Sequence, residues 1–240
     1  MQRRVEPEWL DTLEPKDPRA AASRDDLRRI NAWLGSAAVV ARSARRATAA
    51  GPPRRLVELG AGDGRFMLSL ATRLAQSFGR IEVILVDRLA AVGADTVRQI
   101  QVLGWRVETV RADVFDWLTA FQGGPETLMV ANLFLHHFRD EDLSGLLGAV
   151  AHRTAAFVAC EPRRTRAALT ASSLLGLLGC NQVTRHDARR SVYAGFRGLE
   201  LSQRWPEPHG WRLVERRAGW LSHCFVASAL GNSTGEPGAR

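Results

Sequence analysis

The chain has 240 residues, 45% hydrophobic and 24% charged, values that suit one α/β domain with a full core and exclude wholesale disorder. Its formal charge of +8 comes from 33 basic residues, of which only Lys16 is a lysine. Arginines spread along the whole chain fit the codon bias of a GC-rich genome better than a nucleic-acid footprint, so nucleic acid is not the expected partner.

Residues 1–20 are polar, carry Pro7, Pro15 and Pro18, and read as an irregular arm. Ser23-Arg24-Asp25-Asp26 has the spacing of a capping box, and Leu27, Ile30, Ala32, Trp33 and Leu34 after it predict a helix ending near Gly35. A second helix is expected from Ala37 to Ala50, stopped by Gly51-Pro52-Pro53. From Arg55 an alternation begins. Leu56–Leu59 reads as a strand, and Gly64–Phe78 as a helix with Phe66, Met67, Leu70, Leu74 and Phe78 on one side. Ile81–Val86 is a β-branched strand, Ala90–Leu103 a helix, Arg106–Val110 a strand and Thr127–Ala131 another. Leu143, Leu146, Leu147 and Val150 mark a helix, and Ala155–Cys160 a fifth strand. Near-continuous apolar strands alternating with helices predict a parallel sheet covered on both faces. An Ala/Leu-rich helix follows Arg163, then a loop-rich stretch from Thr184 to Gly210. Trp211–Arg216 and Trp220–Ala229, linked by Arg217-Ala218-Gly219, predict an antiparallel hairpin, and residues 231–240 a disordered tail.

Cys160, Cys180 and Cys224 form no CxxC pair and are odd in number, so neither a metal site nor a disulfide framework is expected. With no apolar leader at the N-terminus, a reducing, cytoplasmic setting is the expectation. Ala167–Thr184 is uncharged over 18 residues but too polar for a membrane span.

The most informative segment is Glu58-Leu59-Gly60-Ala61-Gly62-Asp63-Gly64. A glycine loop between a strand and a helix lets backbone approach a ligand and aims helix N–H groups at it. A dinucleotide site wants G-x-G-x-x-G, but the position of its last glycine is held here by Arg65. Acidic residues recur at later strand ends: Asp87 lies 25 residues after Gly62, and Asp113 another 26 on. The fourth strand ends in Ala131-Asn132-Leu133.

In these features residues 55–160 resemble the class I S-adenosylmethionine-dependent methyltransferases, bacterial enzymes of the small-molecule type among them. The resemblance implies a seven-stranded sheet of order 3-2-1-4-5-7-6 with strand 7 antiparallel. It also implies S-adenosylmethionine as cofactor. Asp87, followed by Arg88, would anchor the ribose, and Asp113 with Val114 the adenine. Glu58 and the backbone of Gly60, Ala61, Gly62, Asp63 and Gly64 would hold the methionine end, with Asn132 and Leu133 at the sulfonium. Residues 51–230 would form this domain, with a substrate insert near 181–210, and the helices of residues 23–50 a lid.

Methyl transfer to a hydroxyl also needs a proton removed, a task suited to histidine. His136 and His137 directly follow the fourth strand, as histidine pairs do in methyltransferases of the ubiquinone/menaquinone type that they resemble. His186, beside Asp187, is a further candidate, and Trp33, Tyr193, Phe196 and Trp205 are candidate pocket walls. His152, His209 and His223 read as structural or surface residues. The expected activity is transfer to a small-molecule acceptor of phenol, polyketide or quinone type in secondary metabolism. RNA or protein modification, or cofactor binding without turnover, are the competing readings. The N/D-P-P-Y/F tetrapeptide of many amino-directed nucleic-acid enzymes is replaced here by Asn132-Leu133-Phe134-Leu135.

Overall fold

Seven short runs rich in Val, Leu, Ile and Ala build the sheet in a computed structural model that describes residues 1–14, 17–89 and 91–230. The strands are β1 (Arg55–Leu59), β2 (Glu82–Asp87), β3 (Arg106–Arg111), β4 (Gly124–Asn132), β5 (Thr154–Pro162), β6 (Trp211–Ala218) and β7 (Ser222–Ala229). Their order is β3-β2-β1-β4-β5-β7-β6, as the resemblance implies. The first five run parallel, and β7 is antiparallel to both β5 and β6. Leu59 of β1 is in register with Val86 of β2 and Ala131 of β4. The C-terminal ends of these three strands therefore open on one edge, where ligands of open parallel sheets bind.

The helices are α1 (Trp9–Thr12), α2 (Pro18–Leu34), α3 (Ser36–Ala47), α4 (Arg65–Phe78), α5 (Ala94–Val102), α6 (Val114–Ala120), α7 (Asp140–Ala151), α8 (Arg166–Leu174) and α9 (Gln182–Ala194). One face of the sheet buries Leu56, Val83, Leu128 and Val158 against Val40, Ala41 and Ala44 of α3 and Met67, Leu70 and Leu74 of α4. The other buries Val57, Met129 and Phe157 against Leu118 of α6 and Leu143, Leu146 and Leu147 of α7. Burial of such side chains is worth about 1.5–3 kcal/mol each and sets which way every strand residue faces.

Several expectations change. The arm is not irregular throughout: α1 forms within it, and α2 begins at Pro18, capped by Asp17, whose carboxylate accepts from the Arg19 N–H at 2.8 Å. Proline at the first helical position is pre-set for helix, so the start moves ahead of Ser23. Ser23 instead lies buried inside α2, hydrogen-bonded to Thr184 at 2.9 Å. Helix α3 belongs to the layer covering the sheet, so the lid expected over residues 23–50 does not hold for that half of the segment. The stretch after Thr184 is helical as far as Ala194, with Asn181 capping α9 by accepting from the Thr184 N–H at 2.8 Å. Its buried side includes Thr184 and Asp187, so the apolar repeat that marks a helix was missing. Helix α6 was also missed, being only seven residues long. The expected tail at 231–240, and Ala90, where a helix was expected to start, lie outside the described residues. Among those residues no helix is long and apolar enough to cross a membrane. Cys160 and Cys224 are register partners across β5 and β7, and all three cysteines are free and buried.

Candidate active site

The loop between β1 and α4 turns on three glycines with positive φ: Gly60 at 73°, Gly62 at 52° and Gly64 at 75°. Side-chain-bearing residues resist that conformation, which explains the spacing G-x-G-x-G. Gly60 and Ala61 donate their N–H groups to the Val86 carbonyl at 2.9 and 3.0 Å, which ties the loop to the end of β2. Asp87 completes the tie. One carboxylate oxygen accepts from the Gly62 N–H at 2.8 Å and the other from the Leu89 N–H at 2.8 Å. Each oxygen keeps a lone pair for a ligand hydroxyl. Arg88 is exposed beside it. Asp63 accepts from the Arg65 N–H at 3.1 Å and lies 3.8 Å from the guanidinium of Arg28, which brings α2 to the rim of the loop.

Glu58 faces the same side of β1 as Leu56 and is fully buried. Its Oε2 has no partner within the protein. Burial, reinforced by Asp63 and Asp87, raises its pKa well above the ordinary carboxyl value. Asn132, at the end of neighbouring β4, likewise has a buried side-chain oxygen without a partner. Buried polar atoms left unpaired cost about 1–3 kcal/mol each, so two at one strand edge mark a place for a polar ligand. Leu133 adopts φ 52°, a left-handed conformation that a leucine takes at a cost, and donates its N–H to the Cys160 carbonyl at 2.9 Å. The kink turns Phe134 back onto the glycine loop, where a Cβ on Gly60 would lie 2.1 Å from its ring. Asp113 caps α6, accepting from the Phe115 N–H at 2.8 Å, and is itself exposed beside buried Val114.

Past Phe134 the 3₁₀ turn Leu135–His137 carries the histidine pair. Glu161, near the end of β5, organises it. The carboxylate accepts from the Phe134 and Leu135 N–H groups at 3.0 and 2.9 Å, and its other oxygen meets His136 Nδ1 at 2.8 Å. Glu8, just before α1, lies 3.6 Å from His136 Nε2 and accepts from the Ser191 hydroxyl. Burial disfavours the imidazolium of His136, but the hydrogen bond to Glu161 and the negative charges of Glu161 and Glu8 outweigh it and raise the pKa to about 9. Burial likewise pushes Glu8 up, yet His136 and His137 hold it at about 2, and His136 keeps Glu161 below its ordinary value. His136 is therefore a charged, fixed group that accepts no proton near neutral pH. His137 is exposed, with its ring centroid 4.3 Å from that of His136.

No family model and no curated protein matches the chain. Solved structures do. An O-methyltransferase family protein from Burkholderia thailandensis superposes with TM-score 0.61 at 18% identity, over 89% of this chain and 60% of that one. The plantazolicin methyltransferase BpumL, solved with S-adenosylhomocysteine, gives 0.60 at 11% identity, over 90% and 92%. The riboflavin dimethyltransferase RosA from Streptomyces davawensis gives 0.55 at 17%, over 93% and 62%. The chain thus spans about 60% of the length of the first and third of these proteins.

This is the class I methyltransferase fold.

Within that fold, the glycine loop, Asp87, Asp113, Asn132 and Leu133 all lie in the loops and strand ends of one sheet edge. His186 is placed differently. It stands on α9, stacked on Trp9 at 3.6 Å, with Nδ1 2.8 Å from Asp187. Asp187 in turn accepts from the Trp9 and Leu10 N–H groups at 2.8 and 2.9 Å, so the pair anchors the N-terminal arm. His186 lines a cavity of about 460 Å³ with Trp9, Arg4, Arg185, Arg189 and Tyr193, and neither His136 nor His137 borders it. Of the expected pocket walls, Phe196 and Trp205 are buried in the core, Trp33 is 78% exposed, and Tyr193 lines this cavity. His223, read from the sequence as structural or surface, is buried and pairs with Glu215 at 2.7 Å inside the hairpin.

Sequence reasoning missed Glu8 and Glu161. An acid inside the apolar run of β5 was a usable signal for Glu161. Glu8 carried none, because only the folded arm brings it to His136.

The state of Glu58 leads to an expected result. The α-amino group of a bound amino-acid moiety would favour its ionised form, so binding should release a proton at neutral pH. Calorimetry of S-adenosylhomocysteine binding in buffers of different ionisation enthalpy reads this directly. Glu58→Gln should abolish the release and weaken binding about tenfold or more. The free protein should gain stability at pH 8 from the same change. Glu58's raised pKa means that the folded state holds a proton that the unfolded state releases above about pH 4.5, so stability falls as pH rises towards the folded value. Buffer-independent heats in the wild type would remove Glu58 from the methionine end.

Proposed function

We propose that the protein transfers the methyl group of S-adenosylmethionine to a hydroxyl oxygen of a small molecule, phenol- or quinone-like. The reading is carried by one juxtaposition: an unpartnered buried acid and a glycine loop meet Asp87 at a strand edge that continues directly into the histidine turn. Glu58, Asn132 and the loop backbone would hold the amino-acid end, Asp87 the ribose hydroxyls, and Asp113 with Val114 the adenine. The cofactor supplies a methyl on a cationic sulfur, so the protein mostly aligns donor and acceptor. His137 takes the acceptor's proton, and His136, already charged, fixes the turn that presents it. Helix α2, close to the loop through Arg28, covers the cofactor side of the cleft. Residues 51–230 make up the catalytic unit, a reducing cytoplasm its setting, and α9 with the loops to residue 210 its substrate insert.

Asp87→Ala tests the reading. Losing a charged hydrogen-bond acceptor should weaken S-adenosylhomocysteine binding about ten- to a hundred-fold, while NAD binds neither protein. Unchanged affinity in the folded variant, or NAD binding by the wild type, would refute it.

A further inference from the structure

Glu8, His136 and His137 stand in an arrangement that a histidine pair alone does not explain. One ligand-capable atom from each lies within 4.8 Å of the others. We propose that these three residues bind a single divalent transition-metal ion of the zinc class.

The spacing fits. The 3.6 Å between Glu8 Oε1 and His136 Nε2 is longer than a hydrogen bond. It matches two ligands of one tetrahedral ion, which at about 2.0–2.1 Å from the metal stand roughly 3.4 Å apart. Two imidazoles and one carboxylate suit zinc and its first-row neighbours rather than magnesium or calcium, and leave a fourth position open. The surroundings fit as well. Metal-binding histidines commonly commit their other ring nitrogen to a carboxylate, and His136 Nδ1 meets Glu161 at 2.8 Å, which leaves Nε2 to face Glu8 and to give up its proton to solvent as the ion takes its place. Glu161 is itself held by the Phe134 and Leu135 N–H groups, and Glu8 by Ser191. Two ligands are buried or nearly so while His137 is exposed, so the ion has an entry path and its open position faces outward.

The role of the ion rests on reading this turn as the acceptor end of the cleft. With the ion bound, His137 serves as a ligand and no longer as the base: a hydroxyl beside a dication loses its proton to solvent more readily, which is the assistance that an oxygen acceptor needs.

The test uses the full chain, stripped with chelator, dialysed and titrated with zinc, and in parallel with cobalt as a spectroscopic probe. One equivalent should bind, and cobalt should give the intense visible bands of a four-coordinate site. Glu8→Gln and His137→Ala should each weaken binding more than tenfold, and Glu161→Gln about ten- to a hundred-fold. All three should still bind S-adenosylhomocysteine, which shows that they are folded. No bound ion in the wild type, or binding that Glu8→Gln and His137→Ala leave unchanged, overturns the proposal. If no ion binds while His137→Ala still abolishes methyl transfer, the metal falls and the acceptor-end reading stands.

Discussion

Alanine at position 137 is expected to lower methyl-transfer turnover about 10²–10⁴-fold, with S-adenosylhomocysteine affinity near wild type. The turn that carries His137 begins just past the end of β4, after Asn132 and Leu133, which puts an exposed imidazole next in chain order to the strand edge where the cofactor would bind. The size of the loss is the same whether the imidazole takes the proton itself or holds an ion that eases its departure; metal content separates the two. The neighbouring substitution behaves differently. His136→Ala leaves Glu8 and Glu161 facing each other in a buried space without their shared cation, and breaking a buried pair costs about 3–5 kcal/mol. Its effect should appear in thermal stability before turnover can be read. Near-normal turnover of a folded His137→Ala protein, on an acceptor that the wild type methylates, would remove the residue from the chemistry.

Gly60→Ala is expected to be the most damaging single methyl in the glycine loop. The backbone there has φ 73°, which costs a side-chain-bearing residue about 1–2 kcal/mol. The new methyl would also meet the Phe134 ring at 2.1 Å, and forced overpacking adds about 1–3 kcal/mol. A total of about 2–5 kcal/mol should lower the melting temperature at roughly 2–4 °C per kcal/mol. Because Phe134 precedes the histidine turn, the displacement should reach that turn too, and S-adenosylhomocysteine affinity should fall by about a hundred-fold or more. Gly62→Ala makes the control. It has a similar φ, but a Cβ there meets nothing within 4 Å, so only the backbone cost applies. Equal melting temperatures for the two variants would show that the contact with Phe134 is not tight.

The sheet was legible because each of its elements declares itself locally. β1, β2, β4 and β5 are apolar runs, and the glycine loop needs glycine for reasons of backbone geometry alone. Asp87 and Asp113 could be read from their positions at strand ends. What Asp113 does for α6, however, is a cap that needs only its own backbone two residues on. Helix α9 escaped because its inward side is partly polar: Thr184 meets Ser23 and Asp26 of α2, and Asp187 meets the backbone of α1. Polar packing of this kind satisfies hydrogen bonds instead of burying oil, so it leaves no apolar period to detect. The histidine turn and its partners were half legible. The histidine pair follows a strand and could be found, whereas Glu8 acts only through contacts across the fold.

The arm that carries Glu8 has a consequence for how the molecule assembles. Trp9 and Asp187 bond across 178 positions, and Arg164 reaches back to the Met1 carbonyl. Contacts of such long range form late, since the chain between must close a large loop first. The parts that would hold the cofactor, from Glu58 to Asn132, are by contrast contiguous in sequence. During synthesis the arm emerges first and then waits until Glu161 and α9 have left the ribosome before it can dock. The hairpin imposes the same delay on the sheet, because β7, last in chain order among the described strands, inserts between β5 and β6 rather than adding at the rim. The stretch from Glu58 to Asn132 can therefore take shape ahead of the histidine turn's surroundings, and the arm that carries Glu8 is among the last parts to find its place.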